Sequence, residues 1–185
     1  MDDTKTGRGR FHADFNGMPC GKLGKATVSR LVFDGSPLVG NVHSRDLKYV
    51  RRLAQTYHTP ECLQETLRLA EANGINTVLG WGEEAVGRYN ASGGKMQFIR
   101  RLSPALEGGE LTEAIQRNID SGAIAQFTDP CETDEIVRRH GIGQIAKVVE
   151  TAARFDLPIG VGAWAMPVVL ACASGGLPLD FYVKS

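Results

Sequence analysis

Three residues combine reactive side chains with places in the chain where chemistry is expected: Asp34, His43 and Lys184. Histidine changes its charge near neutral pH, so His43 suits a general acid or base, or a metal ligand. Asp34 ends an apolar run, and a carboxylate partly withdrawn from water suits proton transfer. A lysine desolvated by its neighbours can form a Schiff base with a carbonyl compound, as Lys184 would beside Tyr182. These three are the predicted catalytic residues.

Four further residues are predicted to bind substrate: Arg45, Trp81, Arg100 and Trp164. Arg45 follows His43 in a long segment between two predicted elements, and an arginine can hold a carboxylate or phosphate at two points. The other three stand where predicted strands end. The same placement selects Arg101, the neighbour of Arg100, and Asp129.

Each of these residues also has a purely structural interpretation, which the sequence leaves open. Asp34 can close a turn with Gly35 and Ser36, and His43 can cap a loop. Arg45 is compatible with an exposed position, and Lys184 with a frayed strand end.

The sequence predicts no metal site. Acidic residues between Asp129 and Glu135 supply oxygen atoms, but they lack the spacing and the glycine of a calcium loop. The four cysteines lie far apart with no CxxC pair, which is typical of free thiols in a reducing compartment. We therefore expect a cytoplasmic protein.

The overall composition excludes several classes of function. The chain has 185 residues, of which 42% are hydrophobic and 23% charged, as in ordinary folded domains. Its 21 basic residues balance its 21 acidic residues, so no strong field attracts nucleic acid or an anionic membrane. No apolar run reaches the roughly 18 residues that a membrane span needs. The predicted partner is a small molecule, not a nucleic acid or a membrane.

The elements that would position these residues alternate regularly. Residues 1–17 are predicted to be a flexible leader, and residues 18–185 a single domain that opens with a β-hairpin turning near Gly24 and Lys25. Thr59 and Pro60 start a helix that ends at Gly74. Five helices in all alternate with six predicted strands, at 30–34, 75–79, 95–99, 123–127, 157–163 and 179–183.

Strand–helix alternation of this kind predicts an α/β fold with a parallel sheet covered by helices. The glycine fingerprint of dinucleotide-binding folds is missing after the first strand. We therefore predict an incomplete TIM-type barrel with about six of its eight strand–helix units. Such a barrel would leave two unpaired sheet edges, through which the chain is expected to self-associate.

Two segments resemble the aldo/keto reductase family. The stretch 18–31, MPCGKLGKATVSRL, is similar to the LGxTGxxVSxLxxG hairpin that precedes the first strand of that barrel. The stretch 72–77, ANGINT, is similar to the family's approach to its second strand. With the strand–helix rhythm, the resemblance covers residues 18–185 and implies the barrel fold.

The resemblance also implies reduction of carbonyl compounds with NADPH by an Asp, a Tyr, a Lys and a His. In this chain Trp81 follows the second strand without an Asp, arginines end the third strand, and no His ends the fourth. Only Tyr89 lies in a matching stretch. The late segment that binds NADPH in the family is also missing from the sequence.

We therefore expect an aldo/keto reductase-like oxidoreductase barrel whose own activity is doubtful. One alternative is a non-redox lyase or isomerase that acts on a small carbonyl or sugar-like substrate. A second alternative is a non-catalytic barrel fragment.

Overall fold

The computed structural model describes residues 13–41 and 47–184 and divides their strands between two sheets. An antiparallel sheet near the N-terminus contains β1 (Ala13–Phe15), β2 (Met18–Leu23) and β3 (Ala26–Ser29). The strands of the second sheet are all parallel: β4 (Phe33–Asp34), β5 (Thr77–Gly80), β6 (Gln97–Leu102), β7 (Ala125–Thr128), β8 (Ile159–Ala163) and β9 (Phe181–Lys184).

Seven α-helices lie within the described residues. They are α1 (Lys48–Tyr57), α2 (Pro60–Ala72), α3 (Glu83–Ala91), α4 (Gly108–Asp120), α5 (Pro130–His140), α6 (Gly143–Ala152) and α7 (Met166–Ser174). A 3₁₀ turn, Ser36–Val39, follows β4. No helix in the described part of the chain is both long enough and apolar enough to cross a bilayer.

The predicted parallel sheet is confirmed. Each strand from β4 to β9 pairs with the next one along the chain, so the sheet order follows the sequence. The sheet curls into a half barrel that stays open between β4 and β9. All strands point the same way, so their carboxyl ends meet at one rim.

Two apolar layers hold the half barrel, one on each face of the sheet. The outer layer includes Leu102, Ile159 and Val161, which pack beneath the helices. The inner layer is centred on Ile99 and Phe127, with partly buried side chains from the neighbouring strands packed against them. Because successive residues of a strand point to opposite faces, this division fixes which polar side chains reach the interior.

The predicted hairpin is confirmed, and it is part of a larger unit. Its turn lies at Gly24 and Lys25, between β2 and β3. The strand β1 pairs with β2, so ordered structure begins earlier than the predicted boundary at residue 18. Residues 1–12 of the predicted leader lie outside the described residues.

The hairpin docks on the joint between α2 and β5. Gly74 has a φ of +86° and lies so close to Met18 and Phe15 that a Cβ atom would collide with both. The amides of Gly74 and Ile75 close the helix by bonding to the carbonyls of Glu71 and Ala70, 3.0 and 2.9 Å away. The two stretches that resemble the aldo/keto reductases therefore touch each other.

Asn76 completes this contact through hydrogen bonds across the interface. Its side-chain oxygen accepts from the Ser29 amide at 2.9 Å, and its side-chain nitrogen donates to the Thr27 carbonyl at 3.0 Å. In return, the Ser29 hydroxyl accepts from the Asn76 amide at 3.0 Å. Since Ser29 and Asn76 are 3% and 5% exposed, water cannot replace these bonds.

Two helices were not predicted. Helix α5 begins with Asp129 and Pro130, the same cap-and-proline pattern that correctly predicted the start of α2 at Thr59 and Pro60. Helix α1 follows Leu47, whose side chain cannot cap a helix, so no local signal marks its start. The acidic stretch after Asp129 is therefore the first turns of a helix.

Candidate functional site

The carboxyl ends of the parallel strands surround a cleft of about 590 Å³. Parallel α/β barrels carry their active sites at this end. Two aromatic walls, Trp81 after β5 and Trp164 after β8, face the cleft together with charged side chains. The charged residues that line it are Asp34, Arg101, Asp129 and Lys184.

Arg101 is the most firmly positioned of these side chains. Its guanidinium carbon lies 3.2 Å from the centroid of the Trp81 ring, a cation–π stack. Its Nη1 forms an ion pair with Oδ2 of Asp129. The side chains of Arg101 and Asp129 are 28% and 11% exposed, so the pair is largely shielded from water. Held from two sides, the guanidinium has a fixed orientation at the cleft.

Asp129 owes its own position to the start of α5. Its Oδ1 accepts hydrogen bonds from the amides of Cys131 and Glu132 at 2.9 and 3.1 Å. A carboxylate in this place satisfies two amides that a helix start leaves unpaired. Oδ1 of Asp129 is bound to the helix and Oδ2 to Arg101. Asp129 therefore holds the arginine in place relative to α5.

Trp164 is placed by a second carboxylate on the same helix. Oδ2 of Asp134 accepts from the amides of Trp164 and Ala165 at 3.1 and 2.9 Å. Helix α5 thus anchors both the arginine on one wall and the loop that carries Trp164 on the other. Helix α5, which was not predicted, therefore organises the cleft.

Asp34 lines the cleft, and its side chain closes a turn, which was its structural interpretation. Its Oδ1 accepts from the amide and the hydroxyl of Ser36 at 2.9 and 2.8 Å, which closes the turn after β4. The side chain is exposed, so the partial burial expected from the apolar run does not occur. A ligand in the cleft would still meet this carboxylate.

Arg100 is not in the cleft, and Arg101 takes the place predicted for it. Arg100 forms an ion pair with Glu83 at the start of α3, on the outer side of the sheet. The inner residue Ile99 fixes the pleat, so its second neighbour Arg101 points inward and Arg100 outward. The sequence could not determine which arginine faces the interior, because the strand was predicted to end at residue 99 and it continues to Leu102.

Lys184 lines the rim of the cleft but does not have the surroundings predicted for it. Phe181 and Val183 pack against the inner layer, so Tyr182 and Lys184 face the other side of β9. Tyr182 is 39% exposed and does not bury the lysine inside the barrel. Lys184 itself is exposed. Its desolvation by Tyr182 is therefore a wrong prediction.

His43 and Arg45 lie outside the described residues, so their predicted roles stay predictions. The described chain runs up to Asn41, after the 3₁₀ turn, and resumes at Leu47, just before α1. The cleft is also lined by residues that were not predicted to belong to the site, among them Ser36, Phe127 and Cys131.

Tyr89 lies away from the cleft and serves as a contact between helices. Its hydroxyl donates to Oε2 of Glu71 on α2 at 2.5 Å. Burial, followed by this hydrogen bond and the nearby Glu71 charge, raises the pKa of Tyr89 from its usual 10 to about 12. The residue that the family resemblance offers as a catalytic tyrosine is thus a structural one.

This raised pKa has a measurable consequence at high pH. The folded protein holds the Tyr89 proton more tightly than the unfolded chain, so the contribution of this contact is complete below pH 10 and is lost as the pH rises toward 12. Subtracting the tyrosinate absorbance of Tyr89→Phe from that of the wild type should isolate one phenol with a midpoint at about 12. A difference curve centred at the usual value of 10 would contradict this contact.

A larger depression of about 840 Å³ lies at the opposite end of the sheet, around the hairpin turn. Its charged side chains include Lys25 and Asp156, which pair with each other although both are highly exposed. The amino ends of the strands meet here, and in such barrels that end contributes to stability, not chemistry. We therefore place the candidate site in the smaller cleft.

Scanning the chain against protein-family models gives no match, and searching the curated proteins gives none either. The geometry alone therefore defines what the cleft can do. It offers a fixed guanidinium with N–H donors beyond the one that bonds to Asp129, two tryptophan rings, an exposed lysine and a carboxylate. That combination suits a small oxygen-rich molecule with an apolar part.

Proposed function

We propose that this chain is an aldo/keto reductase-like half barrel whose cleft binds a small carbonyl or sugar-like molecule. The main support is Arg101, fixed between Trp81 and Asp129 at the carboxyl ends of the strands. Only Nη1 is used for Asp129, so N–H groups on the other guanidinium nitrogens can donate to a ligand oxygen. The docking of the hairpin on Gly74 and Asn76 supports the family assignment.

The described residues do not fit the family's NADPH chemistry. Tyr89 is bonded to Glu71 away from the cleft, and Trp81 stands where the family has an aspartate. We therefore derive no hydride transfer for this chain. The proposed activity is binding of the small carbonyl or sugar-like molecule, without its reduction by NADPH.

The two tryptophans make this proposal easy to test, since they are the only two in the chain and both line the cleft. Titration with glyceraldehyde, pyruvate and xylose should give a saturable change in tryptophan fluorescence for at least one of them. Arg101→Ala should weaken that binding by about tenfold or more, because a charge-assisted hydrogen bond contributes about 1.5–3 kcal/mol.

Arg88→Ala is the matched control, because Arg88 pairs with Glu84 on the exposed face of α3. This variant should bind like the wild type. If none of the three compounds gives a saturable signal, the small-carbonyl proposal is wrong. Oxidation of NADPH that saturates with any of them would instead show that the chain is a reductase.

A lyase or isomerase remains the second candidate because Lys184 and Asp34 both line the cleft. An exposed lysine can still form an imine with an aldehyde at alkaline pH, although burial would make this easier. Borohydride trapping with glyceraldehyde, followed by mass spectrometry, should place an adduct on Lys184 if this candidate is correct. A Lys184→Arg variant that traps as much glyceraldehyde as the wild type would exclude it.

A further inference from the structure

The large apolar side chains that are well exposed are concentrated in the chain segments that precede or follow the two edge strands, β4 and β9. Twelve such residues are present in the described part of the chain. Seven lie in the segments just before and after β4 in the chain: Leu31, Val32, Val39, Leu47, Tyr49, Leu53 and Tyr57. Four more lie beside β9, namely Trp164, Met166, Leu170 and Tyr182. Only Leu69, on α2, belongs to neither group.

The α1 patch consists of Tyr49, Leu53 and Tyr57, which recur every four residues and so share one side of α1. They are 60%, 63% and 67% exposed, although the helix contacts the body of the protein, with Gln55 against Gly40. Three adjacent large side chains in water are costly, at about 25 cal/mol for each Å² of apolar surface.

The α7 patch consists of Met166 and Leu170 on α7 with Tyr182 on β9. Helix α7 has no charged residue, and its exposed side is as apolar as its buried side. Met166 and Leu170 are 52% and 58% exposed. A helix that is apolar all round is normally buried against something.

We propose that a second copy of this chain covers these patches, with the β9 edge and α7 patch of one copy against the β4 edge and α1 patch of the next. Both edges lack a neighbouring strand among the described residues, and both run in the same direction. A head-to-tail contact therefore continues the parallel pairing and keeps the helices on one side. Pairing β9 with its own copy would make the strands antiparallel across a twofold axis.

The charge of the chain favours this partner over a different protein. The 21 basic and 21 acidic residues leave no net charge to keep copies apart. The exposed Arg52 borders the α1 patch one helical turn from Tyr49, whereas α7 contributes no charged side chain to the α7 patch. Every molecule carries both apolar patches, so the patch on one copy can cover the other patch on an identical chain.

Sedimentation equilibrium over a range of protein concentrations tests the proposal. The average mass of the wild type should rise with concentration. Leu53→Glu and Leu170→Glu should each weaken association by about tenfold or more, since each buries a charge in one half of the contact. Leu69→Glu is the matched control, since Leu69 is 48% exposed but lies outside both patches, and it should associate like the wild type.

Mixing the two edge variants distinguishes the head-to-tail contact from a symmetric one. The Leu53→Glu chain keeps its α7 patch and the Leu170→Glu chain keeps its α1 patch, so a mixture should form a one-to-one dimer and nothing larger. If only Leu170→Glu reduces association, the contact is symmetric and the proposal is wrong. A wild type that stays monomeric throughout, or a Leu69→Glu chain impaired as strongly as the others, also overturns it.

If either edge variant fails to fold, hydrogen exchange of the wild type decides the question. The amides of β4 and β9 should exchange more slowly as the concentration rises, while those of the central strand β6 should not change. Equal exchange at all concentrations contradicts the contact.

Discussion

Replacing Gly35 with alanine is expected to destabilise the protein by about 3 kcal/mol, at the upper end of what an overpacked site usually costs. Gly35 has an ordinary φ of −76°, so the constraint is space. A Cβ atom at position 35 would collide with the carbonyl oxygen of Trp81. The Gly35 amide is itself bonded to the Leu79 carbonyl at 2.9 Å. Because a peptide group cannot rotate away as a side chain can, the turn after β4 must separate from β5.

The same substitution should disturb the cleft as well as the fold. Moving the Trp81 backbone shifts the ring on which Arg101 stacks. Urea unfolding followed by tryptophan fluorescence would report both effects, as a lower midpoint and an altered spectrum of the folded state. Gly87→Ala is the control, because a Cβ atom at this position in α3 meets open space. It should instead stabilise the protein by about 0.5–1 kcal/mol. Equal midpoints for the Gly35 variant and the wild type would mean that this close approach is absent.

Replacing Asn76 with alanine is expected to cost about 3 kcal/mol and to loosen the hairpin. The change removes the acceptor of the Ser29 amide and the donor to the Thr27 carbonyl. The buried Ser29 amide and the buried Thr77 hydroxyl would both lose this acceptor, which costs more than the bonds contributed. The Thr27 carbonyl keeps its bond from the Gln97 side chain at 2.8 Å. Hydrogen exchange should accelerate in β3 while the central strands β6 and β7 stay protected.

Asn73→Ala provides the comparison, since its side chain also donates to a carbonyl, that of Leu69 at 2.7 Å, but on an exposed surface. Water can replace that bond, so the expected loss is below about 0.5 kcal/mol. An Asn76 variant as stable as the Asn73 variant would show that the hairpin is held by apolar contacts alone. The resemblance of 72–77 to the aldo/keto reductases would then lose its structural explanation.

Signals contained within a few neighbouring residues were sufficient to predict much of the fold. Thr59 and Pro60 mark the start of α2, and Gly74 marks its end, because these caps depend on bonds between residues three to five positions apart. The hairpin turn at Gly24 and the apolar strands followed from equally local patterns. The parallel sheet followed from the alternation of these elements, since a strand needs a helical crossover to meet a parallel neighbour.

The sequence by itself thus determined the elements, their order and the end of the sheet at which polar side chains gather. Only the tertiary structure decided which of Arg100 and Arg101 enters the cleft, because a shift of one residue in a strand exchanges its two faces. Only the tertiary structure showed that Asn76 locks onto Ser29, 47 positions earlier in the chain. It also revealed that Asp129, an apparent oxygen ligand, caps a helix and holds an arginine. Contacts of this kind depend on the packing of distant segments, which no short stretch of sequence encodes.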